Sequence, residues 1–259
     1  MERGNKLIIL MYHGIISGSS AIMDQRETGA EIYDVSLDNF QAQMKWLKEH
    51  AYTVSLVANQ ELNSSQKAVV ITFDDGEMNN FKEAYPVLKE FNWKAYFFII
   101  VKRIGTPGYM GWEELKKLNG EGMIIGSHGL SHEVLTNLTD SQMEEELEGS
   151  KRNLEINLGR TIDSISIPRG FCNDKVIKKA YEVGYKTIFI SDRPQMLQSK
   201  CLSRTAIKSN WSLQRFNAAL LGQIPLRELL GNTIKNILKT IFRESGYNWI
   251  RHILIKLFK

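Results

Sequence analysis

The chain has 259 residues, and 33 lysines and arginines against 29 aspartates and glutamates leave a formal charge of +4. With 43% hydrophobic and 24% charged residues, the composition excludes a disordered chain, a collagen and a multi-span membrane protein. A sizeable core needs no staples at this length, and the two cysteines, Cys172 and Cys201, have no metal-ligand spacing and read as thiols of a reducing compartment.

From the N-terminus, charged residues 1–6 precede the apolar stretch 7–12, a faint likeness to a signal peptide. The stretch is too short and no small-residue cleavage site precedes His13, so it reads as a buried first strand and the expected location is cytoplasmic. Further apolar runs at 68–73, 95–101, 123–126, 164–167 and 186–190 are rich in Ile, Val and Phe, as parallel strands covered on both faces are. The longest of them, 95–101, has seven residues, where a bilayer span needs about 20.

Helices are expected between these strands. Ser36 caps one reaching about His50, 79–91 and 112–118 follow, and Thr139 or Asp140 opens a long acidic helix to Leu158, closed by Gly159. Asn173 or Asp174 opens another that ends at Val183-Gly184. Glu144-Glu145-Glu146 reads as a solvated face of the acidic helix. Alternating strands and helices predict an α/β fold with a parallel sheet or barrel.

Residues 226–259 differ in character. They hold seven basic and two acidic residues, so the tail carries +5 and the body −1. Leu226, Leu229, Leu230, Ile234, Ile237, Leu238, Ile241 and Phe242 recur at helical spacing beside a Lys235, Lys239 and Arg243 stripe. The expected domains are therefore a body over 1–225 and a basic amphipathic helical tail over 226–259. Such a tail suits peripheral docking on the inner face of a membrane, or packing on the body or in an oligomer. Its basicity is not interleaved with stacking aromatics among the body's strands, so no nucleic-acid partner is expected.

Two motifs carry chemistry. Thr72-Phe73-Asp74-Asp75-Gly76 follows a buried strand, where α/β barrels keep catalytic groups. Adjacent side chains diverge, so one carboxylate is free to bind a cation while the other handles a proton; a loop in which Asp caps the next helix explains the same letters. Ser127-His128-Gly129-Leu130-Ser131-His132 follows another strand and packs two of the five histidines into five residues. Imidazoles at i and i+4 meet at one point on a helical turn, although loop histidines with no ligand fit as well. Two imidazoles plus one carboxylate make a three-ligand set with room left for water and substrate.

In this order and spacing the two motifs resemble the polysaccharide deacetylase family, carbohydrate esterase family 4, whose members share Thr-Phe-Asp-Asp-Gly and Ser-His-x-x-x-His. The likeness extends over roughly residues 6–208 and includes Ala95-Tyr-Phe-Phe-Ile99 and Trp112-Glu-Glu-Leu115. It implies a distorted (β/α)7 barrel and metal-dependent removal of acetyl groups from glycans. Residue by residue, it implies Asp75, His128 and His132 as metal ligands and Asp74 as the base for the water that attacks the acetyl carbonyl. The donor set favours zinc, with cobalt, manganese or iron able to bind it. Arg169, in Ser166-Ile167-Pro168-Arg169-Gly170, stands where the family's Tyr donates a backbone N–H to the oxyanion. Its guanidinium is also a candidate to orient Asp74 or meet an anionic substrate, or is a surface group in a Pro-Gly turn. The family's late Leu-x-His is absent. Met11-Tyr12-His13 instead matches a subset of the family often acting on exopolysaccharides, and His13 becomes the candidate acid or a histidine satisfying loop carbonyls. Arg204 resembles a family Arg near the last strand.

The function expected from this resemblance is N-deacetylation of a GlcNAc-containing glycan or a lipid-linked or exopolysaccharide precursor. Hydrolysis of a non-sugar amide or cyclic imide on the same fold, or a non-catalytic glycan-binding scaffold, are the alternatives.

Overall fold

The computed structural model describes residues 7–18, 26, 29–57, 67–191 and 201–223, and there strands and helices alternate along the chain. In order they are β1 (Ile8–Tyr12), β2 (Ile15–Ile16), β3 (Val35–Ser36), α1 (Leu37–Glu49), β4 (Thr53–Val54) and β5 (Ala68–Phe73). Then come α2 (Tyr85–Glu90), β6 (Tyr96–Ile99), α3 (Trp112–Gly120), β7 (Ile124–Ser127), α4 (Asp140–Leu158) and β8 (Ser164–Ser166). The last are α5 (Asp174–Val183), β9 (Thr187–Ile190), β10 (Leu202–Ser203), β11 (Thr205–Ala206) and α6 (Leu213–Leu220).

The helices begin where side chains can satisfy their first N–H groups. Ser36 Oγ accepts from Asn39 N–H at 3.3 Å, Thr139 Oγ1 from Gln142 N–H at 3.3 Å, and Asn173 Oδ1 from Val176 N–H at 3.0 Å. Gly159 and Gly184 close α4 and α5 in the left-handed conformation. The helix expected over 79–91 divides into a wide π-helical segment, Asn80–Ala84, and α2.

The main sheet runs β10-β9-β8-β7-β6-β5-β1-β11, with β4 added beside β5, and every pairing is parallel. Its two ends, β10 and β11, are separated in the chain by Arg204 alone. The sheet therefore nearly closes on itself, the distorted barrel that the family resemblance implied, with Arg204 at the seam.

Side chains alternate between the two faces of each strand, and two apolar layers result. The larger lies between sheet and helices and includes Leu10, Tyr12, Val69, Ile71, Phe73 and Phe97. The smaller fills the barrel with Ile9, Val70, Tyr96, Phe98 and Phe189. A Cβ at Gly126 would lie 2.5 Å from Phe98 Cε1, so β7 needs a glycine for that ring to fit inside. On β5 the alternation continues inward through Val70 and Thr72 to Asp74, one residue past the strand.

Further sequence expectations change. The strand at 95–101 is shorter, because Val101–Arg103 coils into a 3-10 turn. Two-residue strands β2, β3, β4, β10 and β11 were not foreseen, being too short to carry a periodic signal, nor was α6. Glu146 is not on a solvated face: it shares the buried side of α4 with Met143, Leu147, Ser150 and Leu154. The tail expected over 226–259 lies outside the described residues, and no described helix is long and apolar enough to cross a membrane.

Candidate active site

All the residues singled out in the two motifs converge at the C-terminal ends of β5 and β7. Asp74 N–H donates to Tyr12 O at 3.0 Å, which continues the strand pairing for one residue. The chain then turns through Asp75 and Gly76, at φ 71° and 78°, and sends the two carboxylates in different directions. Of the five non-glycine residues with positive φ among those described, three are Asp75, His132 and Arg169. Each such residue costs about 1–3 kcal/mol unless its surroundings impose it, so the strain is concentrated at the candidate site.

Asp74 is buried and clasped. Arg204 Nη1 and Nη2 donate to its Oδ1 and Oδ2, each at 2.7 Å, and Ser166 Oγ donates to Oδ2 at 3.2 Å. Arg204 also donates to Ser166 Oγ at 2.7 Å and to Thr72 Oγ1 at 3.1 Å, while the Thr72 hydroxyl donates to Leu10 O at 2.9 Å. The guanidinium lies 5.5 Å and 6.0 Å from the ring centres of Phe98 and Phe189, within cation–π reach. Burial pushes the Asp74 carboxyl up, but the charge and hydrogen bonds of Arg204, with His128 nearby, hold it well below the usual carboxylate range. Asp74 is therefore ionised, and both its oxygens are engaged.

Asp75 is left to face the histidines. Its Oδ1 lies 3.5 Å from His128 Nε2 and 3.7 Å from His132 Nε2. One oxygen or nitrogen from each of Asp75, His128 and His132 falls within 4.8 Å of the others. His128 N–H donates to Ile99 O at 2.8 Å, and its ring Nδ1 lies 2.8 Å from Ser166 O. A carbonyl only accepts, so Nδ1 carries the proton and the Nε2 lone pair faces the cluster, as a metal-binding histidine requires. Burial, reinforced by His132 and opposed by the aspartates, pulls the His128 imidazole down to about 4, which keeps it neutral near pH 7. One carboxylate and two imidazoles are a suitable donor set for a divalent transition ion. The histidines do not sit on a helical turn, as their i, i+4 spacing suggested: residues 128–132 form an open loop.

His13 follows β1 on the neighbouring side. Its ring stacks on Tyr33 with centroids 4.9 Å apart, and its carbonyl accepts from Asn80 Nδ2 at 2.6 Å. Nδ1 is buried with no hydrogen-bond partner among the described residues, and the ring is near enough to Asp74 to favour its charge. Close by lies a cluster the sequence did not reveal: Arg26 Nη1 meets Asp34 Oδ2 at 2.6 Å and Arg26 Nε meets Glu77 Oε1 at 2.7 Å. Burial pushes Glu77 up to about 7 against the pull of Arg26.

Arg169 stands exposed on the Pro168–Gly170 turn with φ 55°. The orienting task considered for its guanidinium falls to Arg204, which reaches Asp74 from the seam of the barrel. The signal for Arg204 was a family likeness only; no local pattern marks an arginine that bridges two-residue strands. Neither Cys172 nor Cys201 forms a disulfide.

A family model described as polysaccharide deacetylase matches residues 61–188. YxkH of Bacillus subtilis (strain 168), which carries a polysaccharide deacetylase name, is 36% identical over 191 residues, 71% of this chain and 64% of the relative. A peptidoglycan-N-acetylglucosamine deacetylase of Bacillus cereus is 30% identical over 51% of this chain and 60% of its own length. The chain thus spans less than two thirds of these relatives. Among solved structures, the polysaccharide deacetylase BC0361 from Bacillus cereus superposes with a TM-score of 0.71 at 28% identity, over 84% of this chain and 69% of that one. The Streptococcus pyogenes deacetylase PplD, in complex with acetate, gives 0.72 at 25% identity over 86% of this chain and 100% of that one. With its near-closed parallel barrel and its two motifs gathered at one end, the chain belongs to the polysaccharide deacetylase family, carbohydrate esterase family 4.

Proposed function

We propose that the chain is a metal-dependent carbohydrate N-deacetylase acting on a GlcNAc-containing glycan or an exopolysaccharide precursor. The observation that carries this reading is the division of labour between adjacent aspartates. Asp75 faces two imidazoles, while Asp74 is kept ionised and withheld from the ligand set by Arg204 and Ser166. The relatives support it: besides the Bacillus cereus enzyme, a Staphylococcus aureus (strain MRSA252) protein named poly-beta-1,6-N-acetyl-D-glucosamine N-deacetylase is 28% identical over 57% of this chain and 59% of its own.

Asp75, His128 and His132 would hold the ion, which when bound supplies Lewis acidity towards the acetyl carbonyl and towards water. Asp74 Oδ2 lies 3.8 Å from His128 Nε2, at the edge of the ligand cluster, and is placed to accept a proton from water there. Arg204 keeps that acceptor charged and aimed; the inner-face aromatics Phe98 and Phe189 close the site from below. To His13, held by ring stacking on Tyr33 and by the bond from Asn80 to its carbonyl, this reading gives the return of a proton to the leaving amine.

The test is Asp74→Asn. Removing a general base costs about 10²–10⁴-fold in turnover, so acetate release from N-acetylated chitooligosaccharides should fall by that order while one equivalent of zinc is still bound. Unchanged acetate release would overturn the assignment of Asp74.

A further inference from the structure

The loop that carries the two histidines is held from behind. Between His128 and His132 the backbone makes no helical turn, and Gly129 and His132 take φ of 81° and 68°. On one side its carbonyls are fixed by the segment after β6: Val101 N–H donates to Gly129 O at 3.2 Å and Lys102 N–H to Leu130 O at 2.8 Å. On the other side, three of its donors converge on Glu146 of α4. Leu130 N–H and Ser131 N–H donate to Oε2 at 2.9 Å and 3.0 Å, and the Ser131 hydroxyl donates to Oε1.

Two successive N–H groups aimed at one oxygen form the concavity in which turn backbones bind anions. Here the chain's own carboxylate fills it. Glu146 is 7% exposed, so these charge-assisted bonds compete with little water. A glycine at 129 leaves room for this: a Cβ there would lie 3.3 Å from both Glu146 Oε2 and Pro168 Cγ, at a φ that side chains rarely adopt. The three bonds hold the loop backbone and the Ser131 hydroxyl, and none of them uses an imidazole nitrogen.

We propose that Glu146 is a positioning residue for His128 and His132, fixing residues 129–131 and so setting the separation of the two imidazoles before an ion arrives. The inference rests on the ligand role given above to Asp75, His128 and His132. Its consequence concerns binding of the ion, not only turnover. Outer groups that orient metal ligands are worth about 10–100-fold in metal affinity. Glu146→Ala should weaken binding by that factor, whereas Glu146→Gln keeps an oxygen for the two N–H groups and should recover most of the loss. Ser131→Ala, which deletes one of the three bonds, should also give a smaller loss.

The experiment measures zinc affinity of the full chain by competition with a chromophoric chelator, for the unsubstituted protein, Glu146→Ala, Glu146→Gln, Ser131→Ala and His132→Ala, alongside urea midpoints of the metal-free forms. Weakening that is largest for Glu146→Ala and smaller for Glu146→Gln and Ser131→Ala, out of proportion to any change in urea midpoint, supports the proposal. Affinity within about twofold of the unsubstituted protein for folded Glu146→Ala, while His132→Ala loses binding, overturns it and leaves the ligand set standing. Equal zinc affinity in the unsubstituted protein and His132→Ala overturns the ligand set itself. Should Glu146→Ala fail to fold, unchanged affinity in both Glu146→Gln and Ser131→Ala overturns the proposal.

Discussion

Asp74 and His132 border the same cluster, yet the protein holds them by different means. Asp74 leaves the inner face of β5 and is gripped by Ser166 and Arg204, with Thr72 in turn accepting from Arg204, all of them buried. His132 sits at the end of an open loop whose donors are gathered by Glu146 from a neighbouring helix. In the first region an ionic pair has been taken out of water, so its integrity is a matter of folding stability. In the second, the groups fixed are backbone N–H groups near the rim, so what is set is the spacing of side chains that must meet a ligand. A disturbance of the floor should therefore appear in unfolding, and a disturbance of the loop in binding.

Substitutions put this contrast to the test. Arg204→Met leaves the Asp74 charge buried without its partner, which costs about 3–5 kcal/mol; urea unfolding of the full chain should show it. The same substitution in an Asp74→Asn background should cost much less, because no uncompensated charge remains. Equal costs in both backgrounds would mean that the pair does not govern the stability of the floor. Gly126→Ala tests the barrel interior beneath it: the added methyl must displace Phe98, and overpacking of this kind costs about 1–3 kcal/mol, read from the urea midpoint. Thr139→Ala removes the cap of α4, worth about 0.5–2 kcal/mol, at the helix end nearest Glu146. If α4 serves the loop as a rigid support, thermal or urea stability falls slightly while zinc affinity stays close to that of the unsubstituted protein.

Much of the fold was legible because buried parallel strands announce themselves. The run at 68–73 appears as β5 with the same limits, since six consecutive apolar or β-branched residues suit a strand covered on both faces. The cap at Ser36, and those at Thr139 and Asn173 as one of two adjacent candidates each, were legible for a local reason: a short polar side chain next to a helix start satisfies N–H groups two or three residues on. Glu146 was not, because its acidic neighbours Glu144 and Glu145 mask its phase. It falls three residues after Met143 and four before Ser150, on the buried stripe, and that spacing was the available signal.

The order of residues was enough for the parallel α/β class, the strand ends on which Asp74, Asp75 and His128 stand, and which residue types meet there. These follow from local rules: side-chain period, capping chemistry, and the position of polar residues directly after apolar runs. Which aspartate keeps its oxygens for the ligand cluster came from the sequence through the family resemblance alone; its physical cause is Arg204, which arrives from 130 residues away at the closure of the barrel. Only the tertiary structure decided that Glu146 faces the histidine loop and that Arg26 and Glu77 share a buried pair. Such contacts join segments distant in the chain, and hydrogen-bond partners at that range leave no periodic trace in the order of residues.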